Sequence, residues 1–202
     1  RKQEKSAFGI VMTHDVDGVG KFYLGSIKTA TVFLINAIRM FYKPRLSLKL
    51  LTWSIKFFSG MVDYNGFDII ISICRKYNFT PICFFYSHLS NHNKLSFLER
   101  LKGLNPNYDL ETVEGAISKL KTAKVEIGLH GSFKSVESFE LLRDEKLMLE
   151  KKLQEKCYSV RQHYLNFKGA ETHDMYNRSS LKYDFTCGFV RDNAFFCGTC
   201  RP

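Results

Sequence analysis

Between Asp17 and Asp63 the chain has no acidic residue, while Lys21, Lys28, Arg39, Lys43, Arg45, Lys49 and Lys56 all fall in that stretch. Most of the formal charge of +10 therefore belongs to one segment. A basic, aromatic-rich segment attracts nucleic acid or the anionic face of a membrane, and charge alone does not choose between them. No nucleic-acid-binding motif is present, so nucleic acid is not expected as a partner. Short-period repeats and low-complexity runs are also lacking, which excludes a solenoid and a largely disordered chain. With 45% hydrophobic and 14% aromatic content in 202 residues the chain can bury a substantial core. A single domain over 1–202 is expected, with a basic helical insertion at about 21–60.

No apolar run is long enough to cross a bilayer. Spanning takes roughly 20 predominantly apolar residues, and Lys28, Asn36 and Arg39 interrupt the stretch from Lys21 to Tyr42. At about 100° per residue Lys21, Lys28, Asn36, Arg39 and Lys43 share one arc, so this stretch reads as an amphipathic helix with a basic stripe. Pro44 ends it. Arg45 to Ser59 offers a second helix with Leu46, Leu50, Trp53 and Phe57 on one side and Arg45, Lys49 and Lys56 on the other. The pair is either a cover packed over the domain or a membrane-surface anchor. Arg1 to Lys5 runs straight into the first apolar run without a leader-like segment, and the 6 cysteines show no paired spacing of a disulfide framework. The expected location is the cytoplasm, with peripheral contact at the inner face of the membrane through 21–60 as an added option.

What the chain does have is Thr13-His14-Asp15-Val16-Asp17-Gly18 directly behind the apolar run Phe8 to Met12. An aliphatic run ending in two carboxylates reads as a buried strand with an acidic C-terminal end, because side chains two apart on a strand point the same way. Asp15 and Asp17 should converge. Two like charges so placed repel unless a cation lies between them or one keeps its proton, which suggests a metal, an acid/base pair, or both. The plainer reading is a strand-end turn whose aspartates cap the next helix. His14 alternates with the aspartates and is expected on the opposite face.

Beyond Gly66 helices and short apolar strands take turns. A helix from Phe67 to Tyr77 stops at Asn78 and is followed by the strand 80–86. Asp109 caps a helix in which Leu110, Val113, Ile117 and Leu120 keep the helical period, and the strand Val125 to Leu129 follows. Ser135 or Ser138 opens a long charged helix ending near Lys156. The strand Tyr158 to Arg161, a helix around Thr172 to Leu181 and an extended piece through Phe185 complete the alternation. This order argues for an α/β architecture with a parallel sheet or barrel whose site lies at the C-terminal strand ends. In the intervening loop, His88 and His92 have metal-compatible spacing but no catalytic glutamate beside them. Cys197-Gly198-Thr199-Cys200 is followed by Arg201-Pro202, where no helix can begin, which argues against a redox pair.

Three predicted strand ends thus supply a carboxylate pair at Asp15 and Asp17, an imidazole in Glu126-Ile127-Gly128-Leu129-His130-Gly131-Ser132, and Arg161-Gln162-His163-Tyr164. Carboxylate plus imidazole is ordinary coordination chemistry for zinc or another divalent metal, with a position left for water.

In these segments the chain resembles the polysaccharide deacetylases, the NodB-like carbohydrate esterase family 4. Thr13 to Gly18 looks like the first motif of that family, in the variant with one residue between the aspartates. Glu126 to Ser132 looks like the second, and Arg161 to Tyr164 like the third, with His163 where many members have proline. Tyr183 to Phe189 and Cys197 to Pro202 resemble late segments of a sub-branch associated with surface polysaccharide synthesis. The likeness runs from Phe8 to Pro202, with Lys21 to Gly60 least matched.

The resemblance implies a distorted parallel (β/α) barrel and hydrolysis of N-acetyl groups on amino sugars of a surface polysaccharide or its precursor, by water activated on a divalent metal, most simply zinc. Asp15 would be the general base, Asp17 and His130 metal ligands, Arg161 the group that fixes the orientation and charge of Asp15, and Asp184 either a partner of Arg161 or a turn cap. Two departures stand out. The second histidine of the second motif is replaced by Lys134, and His163 is the candidate for the missing nitrogen, with a role as acid or substrate contact also open. The Leu-x-His motif that protonates the leaving amine is not found, which makes His163 or His173 candidate acids and leaves barrel closure open. A catalytically inactive carbohydrate-binding or scaffold domain is the alternative.

Overall fold

The computed structural model describes residues 11–19, 23–61, 66–87 and 108–187. It divides into two compact units, Arg1–Asp17 with Ile69–Pro202, and Gly18–Asp68.

The first unit is built on five parallel strands, β1 Thr13–Val16, β2 Ile82–Tyr86, β3 Glu126–Gly131, β4 Ser159–Gln162 and β5 Tyr183–Asp184, hydrogen-bonded in the order β1-β2-β3-β4-β5. A strand order that follows the chain is that of a singly wound sheet. β2 is buried along its whole length and reads Ile-Cys-Phe-Phe-Tyr, without polar alternation, as expected of a strand covered on both faces. Phe84, Phe85, Leu129 and Val160 are fully buried and form the centre of the core.

Register and the two-residue strand period fix which side chains share a face. Asp15 lies beside Phe84, which lies beside Gly128, while Tyr86 lies beside His130 and His130 beside Arg161. Residues 13, 15 and 17, then 84, 128 and 130, then 161 and 163, accordingly point one way. His14, beside Cys83, points the other way and is half-buried. Gly128 carries no side chain because a Cβ there would come 2.5 Å from the Phe84 ring.

On this face Arg161 of β4 reaches both Thr13 and Asp15 of β1, each at 2.9 Å. In a flat sheet those strands would be about 14 Å apart, three strand spacings, which is farther than an arginine side chain extends. The sheet is therefore curled, with Phe84 as the floor of its concave side and the Arg161 guanidinium 5.1 Å above that ring. Among the described residues β5 and β1 do not pair, so the parallel α/β sheet is present but the expected barrel closure is not shown.

Helix boundaries follow local chemistry. α1 (Tyr23–Arg39) and α2 (Pro44–Phe58) form the second unit, and Pro44 starts the second helix at its first position, where a missing N–H costs nothing. α3 (Phe67–Tyr77) ends as expected at Asn78, which takes a left-handed φ of 50°. α4 (Glu114–Thr122) begins later than expected, because Asp109 accepts from Thr112 N–H at 2.8 Å and caps a turn ahead of the helix. Leu110, Val113, Ile117 and Leu120 are nonetheless all buried. α5 (Phe139–Leu153) is opened by Ser138, whose Oγ accepts from Leu141 N–H at 3.2 Å, while Ser135 opens the short turn Ser135–Glu137. α6 spans Ala170–Arg178.

The first strand is displaced from its sequence reading: Thr13–Val16 form β1, while Val11 and Met12 are exposed ahead of it. Phe8 to Ile10, Lys21, His88, His92, Cys197 and Cys200 lie outside the described residues. Among the described residues Cys74, Cys83, Cys157 and Cys187 form no disulfide, and burial pushes Cys83 up to about 12 and Cys157 up to about 11.

Candidate metal centre

At the C-terminal ends of β1, β3 and β4 three donor atoms converge. Asp17 Oδ1 lies 3.1 Å from His130 Nε2, His163 Nδ1 lies 3.1 Å from the same nitrogen, and His163 Nδ1 lies 3.5 Å from Asp17 Oδ1. These side chains form the only group of three or more metal-ligating residues among the described residues. Tetrahedral coordination at about 2.0–2.1 Å places neighbouring ligand atoms roughly 3.3–3.5 Å apart, close to the spacing of these atoms.

The tautomer of His130 sharpens the fit. Its Nδ1 lies 2.9 Å from the main-chain carbonyl oxygen of Arg161, which can only accept, so Nδ1 carries a proton. In the neutral ring Nε2 then holds a lone pair, and that lone pair faces a carboxylate oxygen and a second imidazole nitrogen. A proton donated by His163 Nδ1–H, a second proton on His130 or a metal ion each satisfies that lone pair, and the metal ion alone satisfies all three atoms as acceptors. The hydrogen bond from His130 holds Asp17 below the usual carboxylate range; burial opposes the shift, and the charges of His130 and His163 reinforce it. Burial pushes His130 down, but its bonds to Asp17 and the Arg161 carbonyl, with the charges of Asp15 and Asp17, outweigh it and raise its pKa. An Asp/His/His set with one face open fits a divalent metal. That open face is on the Asp17 side, whose side chain is 63% exposed against 2% for His130.

Asp15 stands two residues before Asp17 on the same strand face. Its Oδ1 accepts from Arg161 Nη1 at 2.9 Å, and Arg161 is further held through Nη2 to Thr13 Oγ1 at 2.9 Å and Nε to the Phe185 carbonyl at 2.9 Å. Asp184 does not share this face. It lies beside Val160 in the β4–β5 register, one residue out of phase with Arg161, so its Oδ1 accepts from Thr186 N–H at 2.8 Å and caps the turn. Of the two sequence readings of Asp184 the turn cap is the one seen, and the β5 contribution to Arg161 is the carbonyl of Phe185. His173 on α6 is exposed, 3.9 Å from Asp184 Oδ2. Lys134 is exposed in the loop after β3.

Sequence reasoning missed the groups that hold the ligands. The Tyr108 hydroxyl donates to the Val16 carbonyl at 2.6 Å and accepts from Tyr86 N–H at 2.9 Å, tying the ends of β1 and β2 just ahead of Asp17. Buried Glu145 accepts from Ser132 N–H at 3.1 Å, two residues after His130, and its own main-chain carbonyl accepts from Ser87 Oγ at 2.6 Å. Desolvation raises Glu145 to about 7, against the lowering effect of its hydrogen bonds with Ser132 and Ser135. The signal was present in the helical period: Leu142, Leu149 and Leu153 define a buried stripe of α5, and position 145 lies on it. Gln162, fully buried, accepts from Ser135 Oγ at 2.9 Å and fills the space beside Gly131.

No protein-family model matches the chain, and no curated protein matches it. Among solved structures, a CE4 family pseudoenzyme from Bacillus anthracis is similar at 13% identity and a TM-score of 0.43, over 59% of this chain and 38% of that one. A mutant of that pseudoenzyme with restored enzymatic activity is similar at 14% identity and a TM-score of 0.43, over 60% and 40%. A deacetylase from Streptococcus pyogenes in complex with acetate is similar at 13% identity and a TM-score of 0.41, over 64% and 52%. The chain thus spans between 38% and 52% of the length of these proteins. Likeness at this level leaves function to be read from the residues of the chain itself.

Proposed function

We propose that this chain is a metal-dependent hydrolase domain that removes N-acetyl groups from amino sugars of a surface polysaccharide or its precursor. The observation that carries the reading is the convergence of Asp17 Oδ1, His130 Nε2 and His163 Nδ1 within 3.5 Å of one another, beside a second carboxylate already paired with a cation. The motif resemblance supplies the substrate class.

Asp17, His130 and His163 would hold the ion, with zinc the expected metal for a two-imidazole, one-carboxylate set. When bound, the metal supplies Lewis acidity that lowers the pKa of a water and polarises the acetamide carbonyl. Asp15 would take the proton of the attacking water at its carboxylate, and that proton would pass on to the departing amine. Arg161 engages Asp15 Oδ1 and so directs the other oxygen to that task. His130 stays oriented through its bond to the Arg161 carbonyl. The exposed side of Asp17 is where a sugar reaches the centre.

The test combines elemental analysis of the purified protein with acetate release from N-acetylated hexosamine oligosaccharides. Stoichiometric zinc, acetate release, and loss of acetate but not of zinc in Asp15→Asn would support the reading. Zinc without acetate from any such oligosaccharide would assign the chain to the non-catalytic, carbohydrate-binding alternative. A protein that takes up no divalent metal would remove the reading altogether.

A further inference from the structure

The helical pair of the second unit is joined by an aromatic seam, in which Phe33 of α1 stacks on Phe57 and Trp53 of α2 at 5.5 and 6.4 Å, and by small side chains beside it, while further large apolar side chains face outward. Ser47 Oγ donates to the Ala37 carbonyl at 2.8 Å, and Ser54 Oγ donates to the Ala30 carbonyl at 2.8 Å. The two contacts lie two turns apart on each helix, and Ala30, Ala37 and Ser54 are buried. Serine hydroxyls bonded to the facing backbone, with alanine opposite, let the two helices approach closely beside the aromatic seam. Close contacts through small and hydroxyl side chains also recur between helices in lipid.

The large side chains left outside include Ile38 at 65% exposure, Phe41 at 78%, Leu48 at 66% and Ile55 at 57%. On α2, Leu48, Leu51, Ile55 and Phe58 recur at helical spacing as one exposed stripe. Soluble surfaces rarely expose a contiguous apolar stripe of this kind without a partner. Interleaved with it are Lys28, Arg39, Lys43, Arg45, Lys49 and Lys56, all exposed, in a stretch with no carboxylate.

Charge selects the occupant. A second copy of the same surface would set cations against cations, whereas an anionic lipid surface answers both the apolar stripe and the cations. Tyr42 and Trp53 carry Lys43 and Lys56 over their rings at 5.5 and 5.1 Å, the mixture of aromatic and ammonium groups that suits the headgroup level. The helices have 17 and 15 residues, and no helix among the described residues is long and apolar enough to cross a membrane. We propose that the α1–α2 pair lies in the headgroup–acyl boundary of an anionic bilayer, with Ile38, Phe41, Leu48 and Ile55 toward the acyl chains and the surrounding lysines and arginines on the lipid phosphates.

The experiment is flotation of the full chain with phosphatidylcholine vesicles, with and without phosphatidylglycerol. Partitioning should be at least about tenfold stronger with the anionic lipid and should weaken in high salt. Lys28→Glu, Arg39→Glu and Lys49→Glu combined should bring it down to the level of the neutral vesicles. Ile38→Gln with Leu48→Gln should lower partitioning into both kinds of vesicle at unchanged helix content by circular dichroism, since both residues are exposed in the free protein. Equal partitioning into the two vesicles, no partitioning, or no effect of the charge reversal would overturn the proposal. So would a stable dimer in solution that Ile38→Gln abolishes, which would give the surface to a second copy.

Discussion

His130 donates its Nδ1 proton to the main-chain carbonyl of Arg161 across 2.9 Å, and the two residues stand side by side in the β3–β4 register. The side chain of the same arginine grips Asp15 at 2.9 Å. One residue therefore supports both halves of the centre, the ligand through its backbone and the second carboxylate through its guanidinium.

Because the two supports come from different parts of Arg161, they are separable by mutation. Arg161→Ala keeps the carbonyl and hence the His130 tautomer, but releases Asp15, Thr13 and the Phe185 carbonyl. Zinc affinity should stay close to that of the parent protein, while acetate release falls by about 100-fold, the cost of a misplaced reacting group. A chelator-competition titration beside an acetate assay reads both quantities. Parallel loss of zinc and activity would contradict the division of labour.

His163 and Lys134 make the complementary pair. If His163 supplies the nitrogen that position 134 lacks, His163→Ala should weaken zinc binding by at least about 100-fold, since even outer partners of metal ligands are worth 10–100-fold. Lys134→Ala, in the exposed loop, should change it little. Chelator competition on both variants decides, and retention of zinc by His163→Ala would return His163 to a role as acid or substrate contact.

How far the sequence carried is clearest at these residues. Asp15 and Asp17 were legible as a pair because the two-residue strand period is a local rule, whereas His130 and Arg161 were found as polar groups at strand ends and took their expected roles from the motif resemblance. His163 stayed ambiguous because the two-residue period puts it on the face of Arg161 without choosing between metal ligand, acid and substrate contact, and the turn that follows it, where Tyr164 and Leu165 take φ of 58° and 53°, carries no sequence signal. Left-handed conformations cost non-glycine residues about 1–2 kcal/mol each, so nothing in His-Tyr-Leu announces the turn. Asp184 could not be assigned from its type alone, since one residue of register decides which face it joins. Glu145 was not singled out, because the helix is charged along its length and its buried period was not followed.

Tyr108 offers a test of support for Asp17. Its hydroxyl satisfies a carbonyl on β1 and an N–H on β2, both buried with it. Tyr108→Phe leaves those two groups without the oxygen and should cost about 1–3 kcal/mol of stability. By loosening the end of β1 it should also lower zinc affinity by roughly 10–100-fold. Denaturant unfolding and chelator competition measure the two effects. A loss of stability with zinc affinity unchanged would confine Tyr108 to the core.

Glu145 ties stability to pH in a direction opposite to most carboxylates. Buried against the Ser132 N–H, it titrates at about 7 in place of its ordinary 4.5. Between those values the folded protein holds a proton that the unfolded chain has released, so stability is full below about pH 4.5 and declines as pH rises toward 7. The span corresponds to a loss of about 3 kcal/mol. His130, raised from its ordinary 6.5, adds a loss of the same sign as pH rises through its folded value. Asp17, lowered from 3.8, gives stability that is lost only in stronger acid, below this window. The informative quantity is therefore the difference between the parent protein and Glu145→Gln, which keeps an acceptor for Ser132 and cannot titrate. Denaturant midpoints measured from about pH 5 to about pH 8 should fall steeply in the parent and less in the variant. Equal slopes in the two proteins would mean that Glu145 is already ionised at the lower pH, and that its burial is compensated by the hydrogen bonds around Ser132 and Ser135.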